Sequence, residues 1–185
     1  MSEEVRRAIS DMEFEFSNSR VRVEAECDFE ALELPGLKIG PFSRGERYTI
    51  HLWVAEELEK KGVVKMVERP ELSDEEFMRY HKRETGLSGG LFELPADFYP
   101  RLRRKLARLE EEAGRNPSSL QELERLRARA QDVVNARLKK IVSLASSVAK
   151  SPMTRRYLTP EEEVIFDLVG DLADAWRGEV IKVGR

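Results

Sequence analysis

Few residues of this chain combine the types and spacing needed for acid–base or nucleophilic chemistry. Adjacent carboxylates occur at Glu75-Glu76 and Glu161-Glu162, and such pairs can act as general acid and base. Each pair falls in the first turn of a predicted helix, where the helix dipole favours negative charge, so helix capping explains both. The glycine-rich run at 86–90 (GLSGG) lacks the Lys-Ser/Thr ending of a phosphate-binding loop. We therefore expect a protein that is not an enzyme.

Metal and redox chemistry have equally little support in the sequence. His51 and His81 stand alone, without a second ligand at metal-binding spacing. The chain has one cysteine, Cys27, so an internal disulfide is excluded, and free cysteine is most often a small buried residue. We expect neither a metal nor another cofactor.

Basic residues are the remaining candidates, because they could contact the phosphates of a nucleic acid. They cluster at 101–105 (RLRRK), 125–129 (RLRAR), Lys139-Lys140 and Arg155-Arg156. Acidic residues interleave with the first two clusters, which is typical of a solvated helix face, whereas the last two pairs lack carboxylates nearby in the sequence. With 32 basic and 35 acidic residues the net charge is -3, so we expect at most weak contact with DNA.

The composition is that of a folded protein with an unusually charged surface. Its 185 residues suffice for one domain or two small ones, and 41% are hydrophobic while 36% are charged. The first ten residues lack the apolar core of a signal peptide, and no run approaches the roughly 20 apolar residues that span a membrane. We expect a cytoplasmic protein, nuclear if the source is eukaryotic, that does not bind membranes.

The first 70 residues predict a small β-rich domain. Residues 12–16 (MEFEF) and 20–27 (RVRVEAEC) alternate between apolar and polar on either side of a short polar turn, which predicts a β-hairpin. Within Gly40–Gly62, a turn, a strand at 47–51 and a helix from Leu52 follow one another, and Gly62 ends the helix. A further strand is predicted at 63–67. We expect the small domain to span 1–70, with Phe42 and Trp53 as its core anchors.

The remaining residues predict helices. A connector helix and a glycine-rich linker are expected at 71–92, and an α-helical domain at 93–185, which makes the fold class α+β. Ser73 and Glu76 form a capping box at the start of the connector helix. The three later helices are expected to begin at Asp97, Ser119 and Thr159, and to end at Gly114, near Ala149 and at Gly178. Residues 180–183 are predicted to form a short strand or an ordered tail.

The predicted helices carry more apolar surface than a monomer of this size would bury. The helix from Pro160 to Trp176 is apolar over a broad arc, and an exposed apolar helix face usually marks a partner. We therefore expect an obligate assembly.

Five motifs, in order, resemble those of subunits of the GINS replication complex. They are GPFSRG at 40–45, LWVAEEL at 52–58, the connector ending in KRE at 82–84, LPADFYPRL at 94–102 and DVVNARLKKI at 132–141. Some members of this family place the helical domain first and others the small β-rich domain. The order here resembles that of the eukaryotic partner-of-Sld-five second and third subunits and their archaeal counterpart, the second more than the third.

The resemblance implies a non-enzymatic scaffold. GINS subunits form a tetramer that joins the MCM helicase to a Cdc45/RecJ-like protein at the replication fork and that contacts DNA polymerase or primase. On this interpretation we expect apolar residues of the helical domain to contribute to subunit assembly, namely Phe98, Leu102, Leu106, Ile141, Leu144, Phe166, Leu168 and Leu172, several of which must also form the subunit's own core.

A different class of function is also compatible with the sequence. The chain could be a nucleic-acid-binding regulator with a small reading domain and a helical dimerisation domain. Lys139, Lys140, Arg155 and Arg156 support this alternative, whereas the balanced charge weighs against it.

Overall fold

The fold is α+β, with small sheets followed by a helical bundle, as the sequence predicts. The computed structural model describes residues 2–86, 89–114, 116–148 and 152–182. The elements in chain order are α1 (Ser2–Ser17), β1 (Arg20–Ala25), β2 (Leu32–Leu34), β3 (Leu37–Ile39), β4 (Arg47–His51), α2 (Leu52–Lys60), β5 (Val64–Met66), α3 (Asp74–Thr85), α4 (Phe98–Ala113), α5 (Pro117–Ala145), a 3-10 helix (Pro152–Tyr157) and α6 (Pro160–Ile181).

The chain divides into two compact units. Residues Glu13–Pro70 form one, here named the small unit, and Met1–Met12 with Glu71–Arg185 form the other, here named the helical unit. The predicted separation of a connector at 71–92 from a helical domain at 93–185 stays a prediction.

The small unit is built on an antiparallel three-stranded sheet in the order β4-β1-β5, beside a β2-β3 hairpin. Alternation in β1 buries Val23 and Ala25, because successive side chains of a strand point to opposite faces. The α2 helix covers this face with the buried side chains Leu52, Val54, Ala55 and Leu58. The strands predicted around 47–51 and 63–67 and the helix starting at Leu52 are confirmed.

The two predicted anchors of the small unit have different environments. Phe42 is buried, and its ring makes an edge contact with Tyr48 at a centroid distance of 4.8 Å. Gly40 has φ +84°, and a Cβ there would lie 3.1 Å from the Phe42 ring, so this position requires glycine. Trp53 is 37% exposed and is not a core residue. The prediction of Trp53 as a core anchor is therefore wrong, because α2 turns this position away from the sheet.

The predicted hairpin between 12–16 and 20–27 is wrong. Residues 12–16 continue α1, and β1 pairs with β4 and β5 instead. Two residues of MEFEF, Met12 and Phe16, belong to a helical stripe that begins with Val5 and Ala8. These four residues recur at steps of three and four and are all partly buried, whereas Phe14 is 73% exposed. Five residues are too few to separate a period of 2.0 from one of 3.6.

In the helical unit, α3, α4 and α5 enclose one apolar core and α5 and α6 enclose another. The first contains Phe77, Phe98, Leu102, Leu109 and Val133, among others. The second contains Ile141, Ala145, Leu158 and Phe166. The predicted connector helix α3 thus packs against the bundle.

Two of the predicted helix starts are confirmed. The Ser73 hydroxyl accepts a hydrogen bond from the Glu76 N–H at 3.1 Å, but the Glu76 carboxylate binds Arg101, so only half of the predicted capping box at α3 is observed. Thr159 and Glu162 form a complete capping box at the start of α6. Asp97 occupies the N-cap position of α4, but its side chain makes no capping bond.

Three other predicted boundaries are wrong. Asn116 rather than Ser119 caps α5, since its side chain accepts from the Ser118 N–H and Pro117 occupies the first turn. α5 ends at Ala145, short of Ala149, which lies outside the described residues. α6 continues through Gly178 to Ile181, so 180–181 are helical rather than extended, because a single glycine in a helix costs only about 1 kcal/mol. Residue 183 is not among those described.

Candidate subunit interface and a buried ionic centre

A buried arginine occupies the middle of the helical unit. Arg137 of α5 is 0% exposed, and its Nε and Nη2 atoms donate to the two carboxylate oxygens of Glu162 at 2.5 and 2.6 Å. Its Nη1 atom donates to Glu84 Oε1 at 2.7 Å. The remaining N–H groups donate to the carbonyls of Phe92 and Tyr157 at 2.9 and 2.8 Å. All five guanidinium donors are thus used, as a buried charge requires.

Both carboxylates of this centre have further donors. Glu84 accepts from Lys140 Nζ at 2.8 Å and from the Phe92 N–H at 3.1 Å. Glu162 accepts from the Tyr99 hydroxyl at 2.6 Å and from the Thr159 N–H at 3.0 Å. Two cations and two carboxylates therefore neutralise one another.

Electrostatics fix the protonation states of Arg137 and Tyr99. Burial disfavours the charged form of Arg137, but the hydrogen bonds and charge of Glu162, aided by Glu84, raise its pKa above the usual value. Burial, followed by the adjacent charge of Glu162, raises the pKa of Tyr99 well above its usual value. Arg137 therefore stays charged and Tyr99 stays neutral, and their bonds to Glu84 and Glu162 hold α3, α4, α5 and α6 together. We name Glu84, Tyr99, Arg137, Lys140 and Glu162 the ionic centre.

A neighbouring carboxylate is much less well satisfied. Glu161 is buried, and neither of its carboxylate oxygens has a hydrogen-bond partner within the described residues. The nearest cation is Arg103, whose Nη2 lies 3.6 Å from Oε1. Burial raises the pKa of Glu161 above its usual value, although weaker contacts with its own backbone N–H and the Thr159 side chain, and then the charge of Arg103, oppose this.

Two apolar stripes cover solvent-facing sides of α5 and α6. Val134, Leu138 and Val142 on α5 are between 39% and 42% exposed. Leu172, Trp176 and Val180 on α6 are 61%, 67% and 62% exposed. Each set has a spacing of four residues, so its members line one face of the helix. We name these six residues the α5–α6 stripes, and their exposure is typical of a protein–protein interface.

The eight residues predicted for the interface divide into three groups by exposure. Phe98, Leu102, Ile141 and Phe166 are buried in the unit's own cores and offer no surface to a partner. Leu106 and Leu168 are partly buried, whereas Leu144 and Leu172 are exposed. Whether these residues contact another subunit stays a prediction. Sequence reasoning missed Val134, Leu138 and Val142 as interface candidates. Their spacing of four residues is the signal that could have identified an apolar face on α5 apart from its buried face.

Most of the basic clusters are engaged in ion pairs. Arg101 contacts Glu76 at 2.6 Å and Lys105 contacts Asp74 at 2.6 Å, while Arg127 contacts Glu110 at 2.7 Å. In each of the two pairs that lacked carboxylates in the sequence, one member binds a carboxylate in the folded chain: Lys140 binds Glu84, and Arg155 binds Asp167 at 2.5 Å. The five cations named here are therefore poorly available to phosphates.

Other kinds of site lack support in the described parts of the chain. They contain no cluster of three or more His, Cys, Asp or Glu side chains that could hold a metal. Among them, too, no helix has the length and apolarity to cross a bilayer.

The fold and these surfaces define a class: a small β-rich unit joined to a helical bundle whose exposed apolar stripes suit it for assembly. Residues 66–181 match the family model of the GINS complex protein helical bundle domain. This match covers more than half of the chain, so the chain belongs to the GINS family. GINS proteins are non-catalytic subunits of a DNA replication complex and associate with other GINS subunits. Comparison with curated proteins gave no match.

Proposed function

We propose that this chain is an archaeal-type GINS subunit with the small domain first, a cytoplasmic protein similar to the eukaryotic partner-of-Sld-five second and third subunits. The position of the small unit before the matched residues 66–181 supports this order. The GPF loop at 40–45 and the tryptophan helix α2 favour the second subunit over the third. In this role the chain carries out no catalysis.

The proposed function is scaffolding. The subunit assembles with other GINS subunits into a heterotetramer, which links the MCM helicase to a Cdc45/RecJ-like protein and contacts polymerase or primase at the fork. The observation that carries the assembly step is the pair of α5–α6 stripes, which lie within the matched domain. Burying these six apolar side chains would remove several hundred Å² of apolar surface from water, a large part of the roughly 800 Å² that each partner buries in a standard interface.

Co-expression with a second GINS subunit from the same source tests this proposal. We expect light scattering on a size-exclusion column to show a hetero-oligomer, and we expect Trp176→Ser combined with Leu172→Gln to abolish it. Trp53→Ser is the matched control, because it also replaces a partly exposed tryptophan but lies in the small unit. A wild-type chain that remains monomeric beside its partner would refute the proposal.

The scaffold role has its own test. The purified hetero-oligomer is added to MCM helicase, alone and with the Cdc45/RecJ-like protein, and DNA unwinding is measured. We expect stimulation by the complex and no ATPase or nuclease activity from the complex itself. Unchanged unwinding together with absent co-purification would rule out scaffolding while leaving the assembly result intact.

The alternative of a nucleic-acid-binding regulator has lost two of the four cations that supported it. Lys140 lies in the ionic centre, and Arg155 pairs with Asp167. A salt titration of DNA binding discriminates, because neutralising several phosphates gives a steep dependence of log K on log salt. We expect a slope near zero for the isolated chain.

A further inference from the structure

The two edges of the three-stranded sheet differ in whether their outward N–H groups have hydrogen-bond acceptors. Because β1 is central, β4 and β5 are the edge strands. At β5, the outward N–H of Met66 donates to Glu59 Oε1 at 3.1 Å, and Arg69 holds the other carboxylate oxygen at 2.8 Å. A side chain thus occupies this edge, which is a common way of preventing unwanted strand pairing.

No side chain caps the β4 edge in this way among the described residues. The N–H of Leu52 donates to the Ser19 carbonyl at 2.9 Å, so the even-numbered residues of β4 bond to β1 in the antiparallel ladder. The odd-numbered residues Arg47, Thr49 and His51 therefore direct their N–H groups away from β1. Within the described residues, no backbone or side-chain group accepts a hydrogen bond from them.

The solvent face of the sheet is cationic. Its exposed cations are Arg20 and Arg22 on β1, Arg47 on β4 and Lys65 on β5. Glu24 pairs with Arg47 at 3.2 Å, and Glu68 lies 3.6 Å from Arg22. In the part of the chain that is described, no ion pair engages Arg20 or Lys65. Lys65 lies on β5, at the other edge of the sheet, so the charges near β4 are those of Arg20, Arg22 and Arg47 against those of Glu24 and Glu68. Three cations against two carboxylates leave a small positive charge beside the open edge, which favours acidic side chains in a neighbouring strand.

The opposite side of β4 is apolar. Tyr48 and Ile50 alternate along β4 with Arg47, Thr49 and His51, so their side chains lie on the other face of the sheet. Both are only partly buried and pack against the small unit's core. A strand added beside β4 would place every second side chain next to Tyr48 and Ile50, and the others beside the cationic face.

We propose that β4 is a docking edge for an extended segment of a partner protein that alternates acidic and apolar residues. The segment adds a fourth strand, its backbone pairing with Arg47, Thr49 and His51, as in other cases of strand addition. This edge lies outside residues 66–181, which match the family model. The inference therefore stands or falls independently of the proposed subunit assembly.

Charge and geometry select this occupant over two others. A second copy pairing through β4 would place its own Arg47, Thr49 and His51 beside this face and so supply no carboxylate to the cations there. A nucleic acid would use the cations but not the outward N–H groups, whose spacing of two residues matches a β-strand. An acidic strand uses both features.

The test uses the full chain and a short capped peptide in which glutamate alternates with valine and threonine. A peptide with lysine in place of glutamate is the control ligand. We expect the acidic peptide to bind and to slow hydrogen exchange at the amides of Arg47, Thr49 and His51, and we expect no binding of the lysine peptide. Equal binding of both peptides, or protection at Met66 instead, would overturn the proposal.

A pair of variants at one position isolates the backbone contribution. Thr49→Pro removes an outward N–H without removing a ladder bond, a position where edge strands tolerate proline. Thr49→Ala removes the same side chain but keeps the N–H. We expect Thr49→Pro to weaken peptide binding about tenfold, as loss of one hydrogen bond predicts, and Thr49→Ala to bind as the wild type does.

Two further measurements cover the cases in which Thr49→Pro does not fold or the surface binds a nucleic acid. If Thr49→Pro does not fold, Arg47→Glu replaces it, and we expect at least a comparable loss of acidic-peptide binding. A single-stranded oligonucleotide is titrated in parallel. Oligonucleotide binding that displaces the peptide and is unaffected by Thr49→Pro would identify a phosphate-binding surface and refute strand addition.

Discussion

Arg137 and Glu162 form a two-point ion pair in which Nε and Nη2 of the guanidinium lie 2.5 and 2.6 Å from the two carboxylate oxygens. The pair joins the middle of α5 to the first turn of α6, and Glu84 extends it to the end of α3. Arg137 also binds the carbonyls of Phe92 and Tyr157. One side chain of α5 thus connects this helix to α3, to α6 and to the segments around Phe92 and Tyr157, and it fixes the position of α6 beside α5.

The first prediction concerns this pair. Arg137→Met should destabilise the helical unit by about 3–5 kcal/mol, because it leaves Glu84 buried with Lys140 alone and Glu162 buried without an ion pair among the described residues. Urea unfolding followed by circular dichroism measures the effect. Arg155→Met is the control, since Arg155 makes a solvent-exposed pair with Asp167, and its unfolding midpoint should not change. An Arg137→Met variant as stable as the control would contradict the role of the ionic centre.

The second prediction concerns Glu161 and pH. Because burial raises its pKa in the folded state above the usual 4.5, the folded protein binds this proton more tightly than the unfolded chain. The penalty for charging Glu161 is therefore absent below the unfolded pKa and fully present above the folded pKa. Relative to Glu161→Gln, the wild type should gain stability as pH falls from 7 toward 4.5. Unfolding both proteins across this range tests the sign, and a difference independent of pH would contradict it.

The third prediction concerns the β5 edge of the sheet, where Glu59 accepts from the Met66 N–H. Glu59→Ala should destabilise the small unit by about 1–3 kcal/mol, since a charged acceptor is lost from the Met66 N–H. It should also increase concentration-dependent self-association, because a second strand edge becomes open. Glu57→Ala is the matched control on the same helix, as Glu57 pairs only with the exposed Lys60 among the described contacts. Sedimentation at several concentrations distinguishes the two variants.

The fourth prediction concerns the start of α5. Asn116→Ala should cost about 1 kcal/mol through loss of the cap to the Ser118 N–H. Ser119→Gly tests the sequence-based alternative: if Ser119 were the N-cap, glycine there would cost only a few tenths of a kcal/mol. Because Ser119 lies inside the helix instead, Ser119→Gly should cost roughly 0.5 kcal/mol or more. Thermal unfolding of both variants measures the two effects.

Local signals in the sequence predicted much of the fold. The capping residues Ser73 and Thr159 and the turn at Gly62 act through atoms within three or four residues, so their patterns are legible without the tertiary structure. The error at residues 12–16 also has a local cause. A five-residue run fits two periodicities, and only the helix preceding it decides between them.

The ionic centre and the stripes could not be predicted in the same way. Arg137 pairs with residues 53 and 25 positions away, and nothing in the local pattern names those partners. By hydrophobicity alone, Leu138 belongs inside α5 and Arg137 outside, yet Arg137 is 0% exposed and Leu138 is 42% exposed. The motif that resembles the GINS family contains both residues, but the resemblance did not show that the arginine is buried.

The last prediction concerns Phe42 and Trp53, the two aromatic residues that the sequence predicts as anchors of the small unit. Phe42→Ala should destabilise this unit by about 3–5 kcal/mol, because its buried ring contacts Tyr48 and Phe29. Trp53→Ala should cost only about 1–2 kcal/mol, since Trp53 is 37% exposed and loses less buried area. Urea unfolding of the full chain, followed by hydrogen exchange at β1 and β4 amides, reports on this unit specifically. If Trp53→Ala proved as damaging as Phe42→Ala, the exposed position of Trp53 on α2 would be wrong.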